Sequence, residues 1–185
     1  MRHARIPAVL LAGLCWCAAA EPKIRPAEWA QPVIATTLEN CFRVSGDLFR
    51  SAQPGRADLA DLRALGIRSV ITLRSFHFDD LFERSGFRVI QHPMSAGAVS
   101  VADLVAVLRQ YRSAEKPVLI HCWHGSDRTG FIVAGFRMAV QDWSRESAIE
   151  ELRLGGFGYH ERSYPDIIKT LREMDIAAVK KAVFE

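Results

Sequence analysis

The order of hydrophobic and polar positions along the chain predicts strands that are followed by helices. The segment 67–73 (IRSVITL) is apolar and β-branched, as expected of a central strand. The segment 117–122 (PVLIHC) is continuous in its hydrophobicity, which is typical of a strand buried on both faces. A further strand is predicted at 87–92, and a short strand or hairpin at 42–55, where a Pro-Gly turn ends it.

Apolar residues recur at helical spacing in the segments between and after these strands. Ser100 and Asp103 form the pattern of a capping box at the start of one helix, and Gly155-Gly156 marks the end of another. Helices are predicted over 59–65, 100–111, 128–141, 144–154 and 165–183. Because strands and helices alternate, the pattern predicts an α/β fold with a mixed, mostly parallel sheet and no second domain.

The first 20 residues differ in character from the rest. Arg2, His3 and Arg5 precede an apolar run that ends in three alanines. This order is typical of a secretory signal peptide. The alternative is a buried or anchoring helix, but the apolar run is short for a membrane span. We therefore expect a periplasmic or secreted protein without a stable membrane span after processing. The predicted divisions are 1–20, a signal peptide; 21–41, an irregular leader; and 42–185, the folded domain.

Removal of the signal peptide would change both charge and cysteine content. The 24 basic and 21 acidic residues give a net charge of +3, and loss of Arg2 and Arg5 lowers it to +1. A charge so nearly balanced does not require nucleic acid as a partner. Two of the four cysteines leave as well, and the remaining pair, Cys41 and Cys122, excludes a fold framed by several disulfides.

The candidate chemistry lies in the loop HCWHGSDRTG, residues 121–130, between the strand at 117–122 and the following helix. The first amides of a helix carry partial positive charge, and Gly125 lets the loop curl so that several N–H groups converge on a phosphate. Those amides and a guanidinium would activate Cys122 as a thiolate nucleophile. Arg128 would hold two phosphate oxygens, and Thr129 would donate a hydrogen bond to the sulfur.

The pattern His-Cys, five residues, Arg-Thr resembles the signature of the cysteine-dependent protein tyrosine phosphatase superfamily. Segments similar to its dual-specificity-like bacterial branch are LFRSAQP (48–54), LGIRSVITLR (65–74), HPMSAG (92–97) and GGFGYH (155–160). The resemblance covers about residues 42–175. It implies a catalytic domain with a four- to five-stranded sheet flanked by helices, a phosphocysteine intermediate on Cys122, and neither metal nor cofactor.

The resemblance also implies roles for the other loop residues and a class of substrate. Residues expected to contact the substrate are Trp123, His124, Gly125, Ser126 and Thr129. His121 is expected to support the loop from behind, Arg74 to gather an anion or to pair with a nearby aspartate, and His160 to line the far wall. The expected substrate is a phosphorylated protein or a small phosphomonoester, with phosphotyrosine first and phosphoserine or phosphothreonine next, and we expect a monomer.

The proton donor that such a mechanism needs is absent from its usual place. In the superfamily it is usually an aspartate on the loop that precedes the helix before the cysteine strand. That region here, 92–100, reads HPMSAGAVS, and Asp103 is explained as a helix cap. Asp127 is the leading substitute, as in myotubularin-like lipid phosphatases and certain secreted bacterial tyrosine phosphatases, and its alternative role is to cap a helix. Further candidates are Asp79, Asp80 and His124.

Other interpretations of the same residues stay open. Inositol phosphates or phosphoinositides are alternative substrates, although only His124 adds basic character among the variable loop positions. A catalytically silent phosphate-binding module would account for the missing acid but not for the retention of both Cys122 and Arg128. A thiol redox protein is disfavoured because no Cys-x-x-Cys follows residue 20. Cys41 would form a regulatory disulfide with Cys122 if the two come within bonding distance.

Overall fold

A computed structural model describes residues 25–75 and 80–185. The predicted signal peptide and Asp79 lie outside these residues, and the side chain of Asp80 is not described either. The strands are β1 Gln31–Pro32, β2 Phe42–Arg43, β3 Leu48–Ser51, β4 Ser69–Thr72, β5 Arg88–Gln91 and β6 Val118–His121. The helices are α1 Leu59–Ala64, α2 Asp80–Arg84, α3 Val101–Ser113, α4 Asp127–Val140, α5 Arg145–Leu154, α6 Pro165–Glu173 and α7 Ile176–Phe184.

The strands form one mixed sheet in the order β1-β2-β3-β6-β4-β5. The pairs β3–β6, β6–β4 and β4–β5 are parallel, whereas β1 and β2 join antiparallel at one edge. His121, the last residue of β6, lies opposite Ser51 of β3 and Thr72 of β4. The predicted α/β fold is therefore confirmed, with six strands because the short β1 is added. The four parallel strands β3, β6, β4 and β5 therefore have their carboxyl ends on the same side, where open α/β folds bind ligands.

Both faces of the sheet are buried, which explains why β6 reads as a continuous apolar run. Val118 and Ile120 join a large hydrophobic cluster with the helices α3 to α7, while Leu119 joins a smaller one that contains Leu62 and Phe82. Alternate residues of a strand point to opposite faces, so the two clusters lie on the two sides of the sheet. Helix α4 packs against α3, α5, α6 and α7 and is buried along nearly its whole length.

The predicted helix over 165–183 is wrong as a single element. The chain breaks at Met174, whose backbone is extended, and α7 starts afresh. Asp175 caps α7, because its carboxylate accepts hydrogen bonds from the N–H groups of Ala177 and Ala178. The capping box of α3 is present as predicted: the Ser100 hydroxyl accepts from the N–H of Asp103 and donates to its carboxylate.

The segment 25–41 has little regular secondary structure but is fixed to the rest of the fold. It contains β1, and the N–H of Ala30 donates to Glu151 Oε1 at 2.6 Å. Glu151 also forms a two-pronged ion pair with Arg137, at 2.7 and 2.8 Å, and both side chains are buried. The leader is thereby tied to the helical face of the sheet. Across the described residues, no helix is both long and apolar enough to cross a bilayer.

Candidate active site

The cysteine of the predicted site lies where the central strand meets the most buried helix. Cys122 follows β6 directly and is only 2% exposed, and the loop 122–126 leads into α4 at Asp127. Arg128, in the first turn of α4, is half-buried. Its Nη1 donates to the carbonyl of Leu73 at 3.2 Å and approaches that of Met94 at 3.5 Å. The guanidinium is thus held near the carboxyl ends of the strands.

Three successive carbonyls of the loop accept hydrogen bonds from donors on other segments, and the fourth accepts the first helical hydrogen bond of α4. The pairs are Trp123 O with Gln53 N at 3.0 Å, His124 O with Asn40 Nδ2 at 2.7 Å, Gly125 O with Arg50 Nη2 at 2.6 Å, and Ser126 O with Gly130 N at 2.8 Å. In a trans peptide the following N–H points away from the carbonyl, so the amides of 124–126 face the side opposite these three outside donors. Within the described part of the chain, the amides of 123–126 donate to no acceptor. Such converging amides bind phosphate.

Gly125 is required at the centre of this loop for two reasons. Its φ is +71°, in the left-handed region that side chains disfavour. A Cβ at this position would lie 2.4 Å from the carbonyl oxygen of Ser51 and 2.7 Å from the nitrogen of Ala52. The loop therefore passes directly against the end of β3, and no other residue fits without displacing backbone.

His121 lies behind the loop, at the end of β6. It is fully buried, and its Nδ1 lies 3.1 Å from the carbonyl oxygen of Cys122. Because a carbonyl can only accept, Nδ1 carries the proton of a neutral ring. Burial, reinforced by the positive charges of Arg74 and Arg128, lowers the pKa of His121 to about 4. His121 is therefore neutral at pH 7 and orients the backbone at Cys122.

The hydroxyls of the loop take different positions. Thr129 is fully buried, and its Oγ1 has no hydrogen-bond partner among the residues that the structure describes. The predicted hydrogen bond from Thr129 to the Cys122 sulfur is therefore not seen, although a buried hydroxyl without a partner is free to donate to a neighbouring anion. Ser126 Oγ instead donates to the carbonyl of Phe157 at 2.7 Å. Ser126 thus offers its backbone N–H to the phosphate side, while its side chain supports the loop.

Trp123 and His124 are exposed at the rim of the loop, where a substrate would enter. The Arg74 guanidinium lies 4.2 Å from the centroid of the Trp123 ring, and its Nη1 donates to Gln53 Oε1 at 2.6 Å. Stacking on an indole holds an arginine while leaving its charge available. Arg74 therefore adds a cation at the rim.

Asp127 is buried and bound to His160 rather than free at the rim. It is 6% exposed, its Oδ1 accepts the N–H of His160 at 2.9 Å, and its Oδ2 lies 3.0 Å from His160 Nδ1. Among the described residues its carboxylate bonds only to His160, so the alternative capping role predicted for it is not seen. The His160 ring is half-exposed and its centroid lies 5.8 Å from that of His124. Asp103, in contrast, is engaged by Ser100 and by His92.

Two residues of the site were not predicted, Asn40 and Arg50. Asn40 has a φ of +52°, which asparagine tolerates, and its amide donates to both His124 O and Phe157 O. Arg50 is buried in the middle of β3 and bonds Gly125 O. The only signal in the sequence was the charged residue inside the apolar stretch LFRS.

The proposed bridge between Cys41 and Cys122 is not supported. Both cysteines are free thiols, and Cys41 belongs to the smaller cluster while Cys122 belongs to the larger one across the sheet. Strand β3 separates Cys41 from β6, and two strand spacings amount to ~10 Å, beyond the ~7 Å Cα separation that a disulfide spans. Burial, together with Asp61 and Asp58, raises the pKa of Cys41 to about 11, so its thiol is protonated at neutral pH.

Known proteins share both the sequence and the fold of this chain. The dual specificity protein phosphatase TpbA of Pseudomonas aeruginosa is 37% identical over 164 residues, which cover 86% of this chain and 72% of that protein. A crystal structure of TpbA gives a TM-score of 0.79 at 34% identity and covers 88% of this chain and 100% of that one. A second TpbA structure, in complex with pTyr, gives 0.78 at 34% identity over 86% and 98%.

A more distant relative carries a different substrate in its name. The inositol diphosphatase DSP3 of Arabidopsis thaliana is 26% identical over 157 residues, which cover 78% of this chain and 74% of that protein. The model of the tyrosine phosphatase family matches residues 36–175, which contain both Cys122 and Arg128. The chain therefore belongs to the tyrosine phosphatase family and is a phosphatase.

Proposed function

We propose that the protein hydrolyses phosphotyrosine, and also phosphoserine and phosphothreonine, through a phosphocysteine intermediate on Cys122. The observation that carries this proposal is the set of outward carbonyls over 123–125, which leaves the amides that follow them on the other side of the loop between Cys122 and Arg128. The dual-specificity name of TpbA and its complex with pTyr support the same substrate class.

In the first step, the Cys122 sulfur attacks phosphorus, the bond from phosphorus to the ester oxygen breaks, and that oxygen takes a proton. Arg128 and the loop amides bind the three other oxygens, whose charge redistributes in the transition state. In the second step, water attacks phosphorus, gives up a proton, and the sulfur leaves as a thiolate. The hydroxyl of Thr129 stabilises that leaving thiolate by donating to it.

We assign the proton transfers to Asp127, with His160 as its partner. The His160 N–H fixes the carboxylate, and the ring nitrogen 3.0 Å away exchanges a proton with it. Because the His160 ring is half-exposed, it connects the buried Asp127 to solvent and restores its proton state between turnovers. Neither Asp79 nor Asp80 is needed in this scheme.

Substrates with different leaving groups test this assignment. Asp127→Asn should slow hydrolysis of an alkyl phosphate about 100-fold, and slow 4-nitrophenyl phosphate far less, because nitrophenolate leaves without a proton. Asp103→Asn is the matched control, since Asp103 is held in the α3 cap. Equal losses on both substrates would remove Asp127 from the acid role.

Cys122→Ser separates an enzyme from a silent binding module. The native protein in reductant should hydrolyse 4-nitrophenyl phosphate, and acid quenching during turnover should trap phosphate on Cys122, detected by mass spectrometry. The variant should lose turnover while still binding phosphate. A native protein that binds phosphate but never turns over an aryl phosphate or a phosphopeptide would contradict the enzymatic proposal.

Inositol phosphates are a second candidate substrate class, supported by Arg74. Its guanidinium, held on Trp123, adds a positive charge beside the exposed His124 that a polyanion would contact and a single phosphate would not. Arg74→Ala should then raise KM for an inositol polyphosphate about tenfold and leave KM for a phosphotyrosine peptide unchanged. Arg68→Ala, at the opposite end of β4, is the control. No turnover of inositol polyphosphates by the native protein excludes this class.

We further propose that the protein is exported to the periplasm or secreted. The basic, apolar and small-residue order of residues 1–20 supports this location. Fractionation of cells that express the full chain, followed by mass analysis, should find a mature protein beginning at Glu21. A full-length protein confined to the cytoplasm would contradict export.

A further inference from the structure

Arg50 is a buried cation with no direct acidic partner among the described residues. It is 1% exposed, and its Nη2 donates to Gly125 O at 2.6 Å and approaches Ser126 O at 3.5 Å. The guanidinium carbon lies 3.7 Å from the centroid of the Phe157 ring, and Nε has no hydrogen-bond partner in the described parts of the chain. A buried charge whose only partners are carbonyls and an aromatic ring is costly in free energy. If this position served packing alone, an apolar side chain would be expected there.

The nearest carboxylate is committed elsewhere. Glu151 is bound by two nitrogens of Arg137 and by the N–H of Ala30. Arg25 also approaches this region, so three guanidiniums, those of Arg25, Arg50 and Arg137, face a single carboxylate. Burial lowers the pKa of Arg50 to about 10, while Glu151 and Cys122 oppose that shift, so Arg50 stays charged at neutral pH. The positive charge left over favours an anion on the other side of the loop.

We infer that Arg50 is a positioning residue of the phosphate site, acting from behind the loop. It holds the carbonyl of Gly125, and the amide that follows it, that of Ser126, is thereby turned toward the phosphate. Its charge is balanced by the Cys122 thiolate and by the bound phosphate. This inference rests on the proposed function, because it concerns the same site, and it names a residue that acts through the loop backbone without touching the substrate.

The test compares the rates at which a charged and a neutral reagent alkylate Cys122. The ratio of these two rates would not change if Arg50 had only a structural role. Iodoacetate and iodoacetamide are similar in size and react with the same thiolate, but only iodoacetate carries a negative charge. The ratio of their alkylation rates therefore measures how well the site attracts an anion. Arg50→Met should lower this ratio about tenfold and raise the inhibition constant of inorganic phosphate by a similar factor. Arg50→Lys should fall between the native protein and Arg50→Met.

Arg43→Met is the matched control. Arg43 lies on the neighbouring strand β2 and also stacks on a phenylalanine, Phe49 at 4.8 Å, but it is exposed. Its replacement should leave both the ratio and the phosphate inhibition unchanged. An Arg50→Met protein that unfolds cooperatively and keeps the native ratio within twofold would overturn the inference. If Arg50→Met does not fold, Arg50→Lys serves as the test. This variant lacks the guanidinium fork, so a native alkylation ratio in it would equally overturn the inference.

Failure of the inference and failure of the proposed function look different in these measurements. Suppose that the native protein hydrolyses 4-nitrophenyl phosphate and that the Arg50 variants match it in alkylation ratio and in inhibition by phosphate. The proposed function then stands and the role of Arg50 is rejected. If instead the native protein shows no turnover but its alkylation ratio still depends on Arg50, the proposed function is rejected. Arg50 then remains a positioning residue of an anion-binding site.

Discussion

Stability should fall in mildly acidic solution because His121 is buried as a neutral ring. Its Nδ1 proton is used by the Cys122 carbonyl, and its Nε2 has no partner among the described residues. A second proton would place a charge in a dry site near Arg74 and Arg128, which is why the pKa is lowered from 6.5 to about 4. Once the chain unfolds, the ring returns to water and to its ordinary pKa.

The size of the effect follows from the difference between the two pKa values. Above pH 6.5, neither state holds the extra proton and stability is unaffected. Between pH 6.5 and 4, the unfolded state binds a proton that the folded state does not, so the free energy of unfolding falls as pH falls. At ~1.4 kcal/mol for each unit, the total loss is about 3 kcal/mol. Single domains have about 5–15 kcal/mol in all, so this loss is large.

Urea unfolding followed by tryptophan fluorescence at several pH values between 7.5 and 4 would measure this loss. His121→Asn keeps a donor for the Cys122 carbonyl but has no titrating ring, so its stability should depend on pH less than that of the native protein by about 3 kcal/mol across the range. His124→Asn is the control, because His124 is exposed. Parallel pH profiles for the native protein and His121→Asn would refute the reasoning.

Two further substitutions test the packing around the loop. In Gly125→Ala the new Cβ would sit at a φ of +71° and lie 2.4 Å from the Ser51 carbonyl, so kcat/KM should fall about 100-fold. Gly46→Ala is the control: its Cβ would meet no atom within 4 Å, so kcat/KM should be unchanged. Glu151→Gln leaves the buried Arg137 unpaired and should reduce the free energy of unfolding by about 3–5 kcal/mol, measured by urea unfolding. Glu161→Gln, in an exposed ion pair, should cost less than ~1 kcal/mol, and equal effects would contradict the burial argument.

The parts of the fold that the sequence predicts are those whose signal is local. Strand β6 and helix α4 are apolar because both are surrounded by other elements, and Ser100 and Asp103 bond each other within one helical turn. The break at Met174 was missed because the apolar spacing continues through it, although Asp175 is a typical N-cap. Strand β1 was missed because it has two residues, one of them Pro32, and depends on pairing with β2.

The candidate site divides in the same way. The proposed nucleophile, the glycine turn and the proposed phosphate-binding arginine all lie within positions 121–130, so the loop could be predicted. Asn40 and Arg50 meet this loop only because β3 lies beside β6 in the sheet, and no spacing along the chain encodes that neighbourhood. The partner of Asp127 is hidden for the same reason, because His160 approaches from the segment after α5.

The hydrogen bonds that the loop carbonyls accept from outside lower the conformational entropy that the loop would lose on binding phosphate. An isolated loop would have to turn its amides one by one toward the anion, and that ordering would weaken binding. Here Asn40, Arg50 and Gln53 fix three consecutive carbonyls through bonds formed when the chain folds. The same preorganised amides then meet the charge that develops on the phosphate oxygens without further rearrangement. Because all three donors come from the segment 40–53, the conformation of the loop depends on the packing of that segment against it.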